Sequence, residues 1–233
     1  MKLVIVFLGQ KPFRIHLGTL FVLGFISAAL WASATLAIAW WPEPHKAIGR
    51  NALEVLPEGL KKAFESDPEI LAALLWGMVE PDYNRIEDHR IYLKVIRGTP
   101  TGPGGVHTAL EKYAKRAEEM IRSGEPMNLV AFILGQSAHF IQDANVPLHT
   151  IYGDTREQHR AYEEAAYVWD WPGEKYGYKG FFLVKNYKCF AYEAAKRSYP
   201  YYDKALKIGP EKALELYGIS APRGELGEGW FCG

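Results

Sequence analysis

The chain has 233 residues, 27 basic against 27 acidic side chains, and is 48% hydrophobic and 14% aromatic. That is apolar material enough for a sizeable core, while a net charge of zero argues against a large electrostatic grip on nucleic acid. Cys189 and Cys232 are the only cysteines, too few for a disulfide-built scaffold or a thiolate zinc site, although the two could pair in an oxidising compartment.

Lys2, Lys11 and Arg14 give the chain a basic start. Residues 17–39 then run for 23 residues without a charge and close on Ala37-Ile38-Ala39, a small-residue cleavage signature. Residues 1–39 are therefore expected to be a signal peptide, with a signal anchor as the competing reading because the apolar run is long. Either way residues 40–233 are exported, to be secreted or to face outward from a membrane anchor. Removal of the leader takes away three basic residues and no acid, so the remainder carries a charge of −3.

From there helical periodicity dominates, with no repeat and no sustained strand-like alternation. The spacing of Ala47, Ile48, Ala52, Val55 and Leu56 predicts a helix over 45–56, stopped by Pro57. An apolar helix over 68–78 follows, with Asp67 as its cap. Residues 79–103 read as loop, rich in proline and glycine. An amphipathic helix over 108–122 ends at Ser123-Gly124, and the most apolar helix, 126–145, belongs at the centre of the fold. Helices over 156–167, 184–198 and 210–217 complete the set, with a glycine- and aromatic-rich connector over 171–180. The expectation is one all-α domain of about seven helices.

Five histidines and two carboxylates stand out against that background. His139 and Asp143 are four residues apart and share one helix face. His159 and Glu163 repeat the relation on a second helix. His149 follows the point where Asn145 and Pro147 stop the first helix. His45 and His89 lie upstream, whereas His107 stands apart. A single histidine on an apolar face usually belongs to the core, but this density of imidazole and carboxylate points to metal. The absence of thiolate suits zinc first. So many ligands call for at least two ions, which Asp143 could bridge, and paired ions are a common device for phosphate-ester hydrolysis.

Two further candidates rest on thinner grounds. Cleavage after Ala39 would expose the Trp40 amino group, which together with the Trp40 carbonyl could chelate a metal beside His45. On spacing alone, Trp40 and Trp41 read better as an interfacial aromatic pair. Asp82 precedes His89 by seven residues and could act as a general base or orient a water. Glu80, Glu87 and Asp88 compete with it.

Residues 132–149, with His139, Asp143, Pro147, Leu148 and His149 at the signature spacing, resemble the zinc-dependent phospholipase C family, whose trinuclear fold is shared with single-strand-specific zinc nucleases. His159 with Glu163, Asp82 with Tyr83, His89, and Trp40 with His45 match the other motifs. The resemblance covers residues 40–167, and the C-terminal third carries no motif that aligns.

The resemblance implies three zinc ions: one on His89, His139 and Asp143, a second on His149, His159 and Glu163, and a third on the Trp40 amine and carbonyl, His45 and the bridging Asp143. Asp82 would be the general base or water-orienting residue of the phospholipases, or a ligand as in the nucleases. Glu43 and Tyr83 would contact substrate. Glu163 and Tyr83 look phospholipase-like, whereas the Trp40-to-His45 spacing is the nuclease one. Ile86 stands where the family has an aromatic residue, which weakens a cage for a quaternary ammonium. The function expected is an exported zinc-dependent phosphodiesterase of the phospholipase C type that uses a metal-activated water on a phospholipid or another phosphodiester, with a membrane surface as the place of contact and no protein partner implied. The alternatives are a single-strand nuclease or nucleotidase on the same ions, disfavoured by the charge, and a non-catalytic bundle stapled by zinc.

Overall fold

The computed structural model describes residues 3–5, 13–15, 42–54, 56–84, 87–100, 102–153, 156–167 and 184–208. The chain divides into two compact units, Met1–Ala39 and Trp40–Gly233. In the first, β1 (Leu3–Ile5) pairs antiparallel with β2 (Phe13–Ile15), Leu3 opposite Ile15. The apolar run expected as a leader or anchor lies outside the described residues. Among those described, no helix is long and apolar enough to cross a membrane.

The second unit is helical. Pro42, whose fixed φ suits a first turn, opens α1 (Pro42–Glu54) three residues ahead of the expected start. Pro57 likewise precedes α2 (Glu58–Glu65), a short helix that periodicity did not reveal. Asp67 caps α3 (Pro68–Gly77) as expected, its carboxylate accepting the Glu69 N–H at 2.8 Å. The stretch expected as loop is not all loop, because residues 80–84 form a single turn, α4 (Glu80–Asn84). Further on, β3 (Lys94–Val95) pairs in parallel with β4 (Ile151–Tyr152).

Helix α5 (Val106–Ser123) ends where Gly124 turns left-handed at φ 71° and its N–H returns to the Ile121 and Met120 carbonyls. Next come α6 (Met127–Ala144), a 3₁₀ turn (Pro147–Thr150) and α7 (Arg156–Tyr167). Asn186 caps α8 (Tyr187–Ser198) by accepting the Cys189 N–H at 3.0 Å, and α9 (Tyr202–Ile208) follows a second 3₁₀ turn. Cys189 is disulfide-bonded; Cys232 lies outside the described residues. The helix expected over 210–217 and the connector over 171–180 lie outside the described residues.

Helix α6 is the axis of this unit, as its apolar sequence predicts. One side joins Ile91, Val106, Leu110, Tyr113, Ala191 and Ala195 around Phe140, whose ring stacks on Tyr113 with centroids 5.6 Å apart. The other side places Ala131 among Leu53, Leu74, Leu75 and Met78. Full burial of a side chain such as Phe140 contributes roughly 1.5–3 kcal/mol. With both flanks packed in apolar contact, α6 carries its polar residues, Gln136, His139, Gln142 and Asp143, buried in the middle of the domain. Buried polar groups require partners: His139 and Asp143 meet each other, Gln136 reaches Glu80, and Gln142 reaches His45.

Candidate metal centre

Each clustered side chain is aimed by an identifiable local feature. His139 and Asp143 project from the same face of α6, both wholly buried. The helix stops at Asn145, whose N–H turns back to the Gln142 carbonyl. Pro147 then starts the 3₁₀ turn, closed by the His149 N–H on the Val146 carbonyl at 3.0 Å and by the Thr150 hydroxyl donating to the Pro147 carbonyl at 2.6 Å. The His149 carbonyl accepts the Ile91 N–H at 2.9 Å, and the Thr150 carbonyl accepts the Leu93 N–H at 2.8 Å. These two bonds tie the segment after His89 to the segment around His149, although the histidines are far apart in sequence. From α7, His159 stacks on His149 with ring centroids 5.0 Å apart and planes 5° from parallel.

The imidazoles are oriented from behind. The His139 Nδ1–H donates to the Met78 carbonyl at 2.9 Å, which turns Nε2 towards the cluster. The His45 Nδ1–H donates to Gln142 Oε1 at 2.5 Å and turns Nε2 inward in the same way. Around them, the Asp143 carboxylate lies at the middle. Its Oδ2 is 2.9 Å from His89 Nδ1 and 3.1 Å from His139 Nε2. Its Oδ1 is 3.4 Å from His149 Nδ1 and 3.7 Å from His45 Nε2. Asp82 approaches from α4, with Oδ1 3.4 Å from His89 Nδ1 and Oδ2 3.7 Å from His45 Nε2. His149 and His159 bring their Nε2 atoms to 3.1 Å of each other.

The acids that competed with Asp82 are engaged elsewhere. Glu80 accepts from Gln136 at 2.6 Å and from Asn84, Glu87 holds Lys112 at 2.8 Å, and Asp88 accepts the Arg90 N–H and the Tyr92 hydroxyl. His107, as expected, is apart, buried against Tyr192 between α5 and α8. Glu43 holds Lys46 at 3.2 Å. Tyr83 is exposed, with its ring 5.4 Å from that of Trp76. Trp40 lies outside the described residues, and so does the side chain of Glu163, which follows His159 by one turn on α7. Three participants were not anticipated. Met78 supplies only a carbonyl, which no sequence signal marks. Gln142 was detectable as a polar residue beside Asp143 on a very apolar helix. Arg90 directly follows His89, and its guanidinium donates to His159 Nδ1 at 3.2 Å.

Two carboxylates buried among imidazoles set the charge balance. Burial alone would push the His139 imidazole down, but the Asp143 and Asp82 carboxylates outweigh it and raise the group to about 9. Burial drives His45 well below its ordinary value, and repulsion from His139 adds to the effect. The two directions are consistent because His139 is nearer the Asp143 carboxylate than His45 is. Burial opposes ionisation of Asp143 too, yet the His139 and His149 imidazoles hold it well below the carboxylate range. Two acids buried together call for positive charge beside them, which a protonated histidine supplies in part. A divalent ion would compensate them better.

The donor set fits such an ion. It consists of nitrogen and oxygen only, and Asp143 Oδ1 is buried without a hydrogen bond. Among the described residues, His89, His139 and Asp143 bring ligand atoms within 4.8 Å of one another, and His45, Asp82 and His139 do the same. The first trio is one of the expected ligand sets, whereas the second joins His45 to Asp82 and His139.

A helical domain with a thiolate-free His/Asp cluster in its interior defines a metalloprotein of the bundle class. The family model of zinc dependent phospholipase C matches residues 44–209, and the chain belongs to that family. The match extends well beyond the motifs legible by eye, into the C-terminal third. No curated protein matches the chain. Family membership makes it a zinc-dependent hydrolase of phosphate esters with a phospholipase C-like function.

Proposed function

We propose that the chain is an exported phosphodiesterase that cleaves the headgroup phosphate ester of a phospholipid, releasing diacylglycerol (or its equivalent) and a phosphorylated headgroup. Its cofactor would be three zinc ions, held by His89, His139 and Asp143, by His149, His159 and Glu163, and by the Trp40 terminus, His45 and Asp143. The observation that carries this reading is the buried Asp143 carboxylate, with one oxygen between His89 and His139 and the other between His45 and His149. A carboxylate disposed in this way can serve more than one ion. Export is supported by the cleavage signature before Trp40; retention of the leader would leave the domain anchored and facing outward.

When bound, zinc supplies Lewis acidity towards phosphate oxygens and lowers the pKa of water. The chain's own residues do the rest. The Met78 carbonyl and Gln142 hold the Nδ1 atoms of His139 and His45, so that their Nε2 atoms face the cluster and are available to a metal. The Asp82 carboxylate, between His45 and His89, takes the proton from the attacking water or aligns it. Tyr83 and Glu43 contact the substrate outside the phosphoryl group.

A second reading, a single-strand nuclease or nucleotidase, has one observation in its favour. Asp82 stands within the same group as His45 and His139, which suits a ligand as well as a base. The experiment offers one purified, zinc-loaded sample phospholipid vesicles and single-stranded nucleic acid in parallel. Release of phosphorylated headgroup from vesicles is expected; cleavage of nucleic acid alone would hand the site to the second reading.

A further inference from the structure

Three glycines sit within a turn of the clustered groups, and each is pressed against a neighbouring element. Gly135 precedes His139 by one turn on α6. A Cβ there would lie 2.2 Å from the Leu74 carbonyl oxygen and 2.9 Å from the Gly77 Cα. Gly77 ends α3, and a Cβ on it would lie 2.1 Å from the Phe132 carbonyl oxygen. The contact is reciprocal, each glycine lying over the carbonyl three residues before the other. Helices α3 and α6 therefore cross backbone against backbone, a spacing that no residue with a side chain permits. Gly49 follows His45 by one turn on α1, and a Cβ there would lie 2.2 Å from Met78 Sδ.

One of these contacts falls on Met78 itself, and the other two fix the end of α3 that leads into it. Met78 directly follows Gly77, its sulfur fills the space left by Gly49, and its carbonyl holds the His139 Nδ1–H at 2.9 Å. Val79 and α4, the carrier of Asp82, continue from it. Glycine is a poor helix former, so its presence inside α1 and α6 runs against local preference. Placement of the clustered side chains accounts for it.

We infer that Gly49, Gly77 and Gly135 are positioning residues for the metal centre, acting through Met78 to set α1, α3 and α6 at the spacing that brings His45, Asp82 and His139 together. The inference rests on the reading that this cluster binds zinc. A side chain at Gly135 or Gly77 must part α3 from α6, because the obstruction is backbone. That draws the Met78 carbonyl away from His139 and releases the ring. A side chain at Gly49 meets only the end of a flexible methionine, so its effect is smaller and is relieved by shortening Met78, which keeps the carbonyl. Gly59 on α2 has no atom within 4 Å of where its Cβ would be and serves as the control.

The test uses the full chain, with zinc affinity read by chelator competition and centre geometry read from the visible spectrum of the cobalt-substituted protein. Gly135→Ala and Gly77→Ala are expected to weaken zinc at least about tenfold and to alter the cobalt bands while far-ultraviolet circular dichroism still reports helix. Gly59→Ala should change neither. Gly49→Ala should weaken zinc by less, with recovery in Gly49→Ala/Met78→Ala. Wild-type affinity and spectrum in both Gly135→Ala and Gly77→Ala would overturn the inference. If those two do not fold, the Gly49 series decides it: a loss that Met78→Ala does not relieve, or no loss, overturns it. A wild-type chain that takes up neither zinc nor cobalt removes the reading beneath it instead.

Discussion

Zinc loading of the metal-free protein is expected to expel a proton, and His139 is its source. With Asp143 Oδ2 at 3.1 Å and Asp82 nearby, this buried imidazole is raised to about 9. At pH 7 such a group is about 99% protonated, and at pH 10 about 10%. Coordination through Nε2 requires the lone pair that this proton occupies. Zinc binding at pH 7 should therefore release about one proton from this residue, and the apparent affinity should climb roughly tenfold per pH unit between about 6.5 and 9 before levelling. The same shift, from an ordinary 6.5 to about 9, corresponds to about 3 kcal/mol. Because the folded value is the higher one, that stabilisation is present in full below pH 6.5 and is lost as the pH rises through 9. The metal-free protein should thus weaken on the alkaline side, while the zinc-loaded protein, in which the ion replaces the proton, should not. Calorimetric titration in buffers of different ionisation enthalpy counts the protons. No release at pH 7, or an affinity independent of pH from 6.5 to 9, would refute the reasoning.

Asp82→Asn should lower turnover by about 10²–10⁴-fold with zinc content retained by elemental analysis; loss of zinc along with activity would make Asp82 a ligand, and unchanged activity would remove it from the chemistry. Phe140→Ala, which empties the wholly buried contact with Tyr113, should cost about 3–5 kcal/mol and show as a fall of several degrees in the thermal midpoint; a fall of under about 2 °C would mean that the α5–α6 interface contributes little. One extra residue before Trp40 in the processed protein should reduce zinc stoichiometry and activity together. If both stay intact, the terminal amine is not a ligand.

Much of the cluster could be read in advance because helices convert spacing into direction. The four-residue interval between His139 and Asp143 fixed their common face, and the bounds of α7 were anticipated to the residue. Asp67 and Gly124 marked a helix start and a helix stop by local chemistry that acts within a few residues. What escaped depends on distant partners. The turn that carries Asp82 lies in a stretch whose prolines and glycines resemble loop, and its place follows from the crossing of α3 over α6. The bonds from Ile91 and Leu93 to residues 149 and 150 join segments that share no periodicity. Helix α2 is only eight residues long with none buried, so its apolar face, Leu60 and Phe64 one turn apart, is too short to stand out. The Met78 carbonyl, a backbone atom, is invisible to any reading based on side chains.

The most direct measurement is the zinc content of the chain beginning at Trp40, determined by elemental analysis after exhaustive dialysis, beside the same chain carrying Asp143→Ala. The account predicts about three ions per chain in the first and a loss of more than one from the second, since that carboxylate faces His89 and His139 on one side and His45 and His149 on the other. A metal content indifferent to Asp143, or no stoichiometric zinc at all, would contradict it.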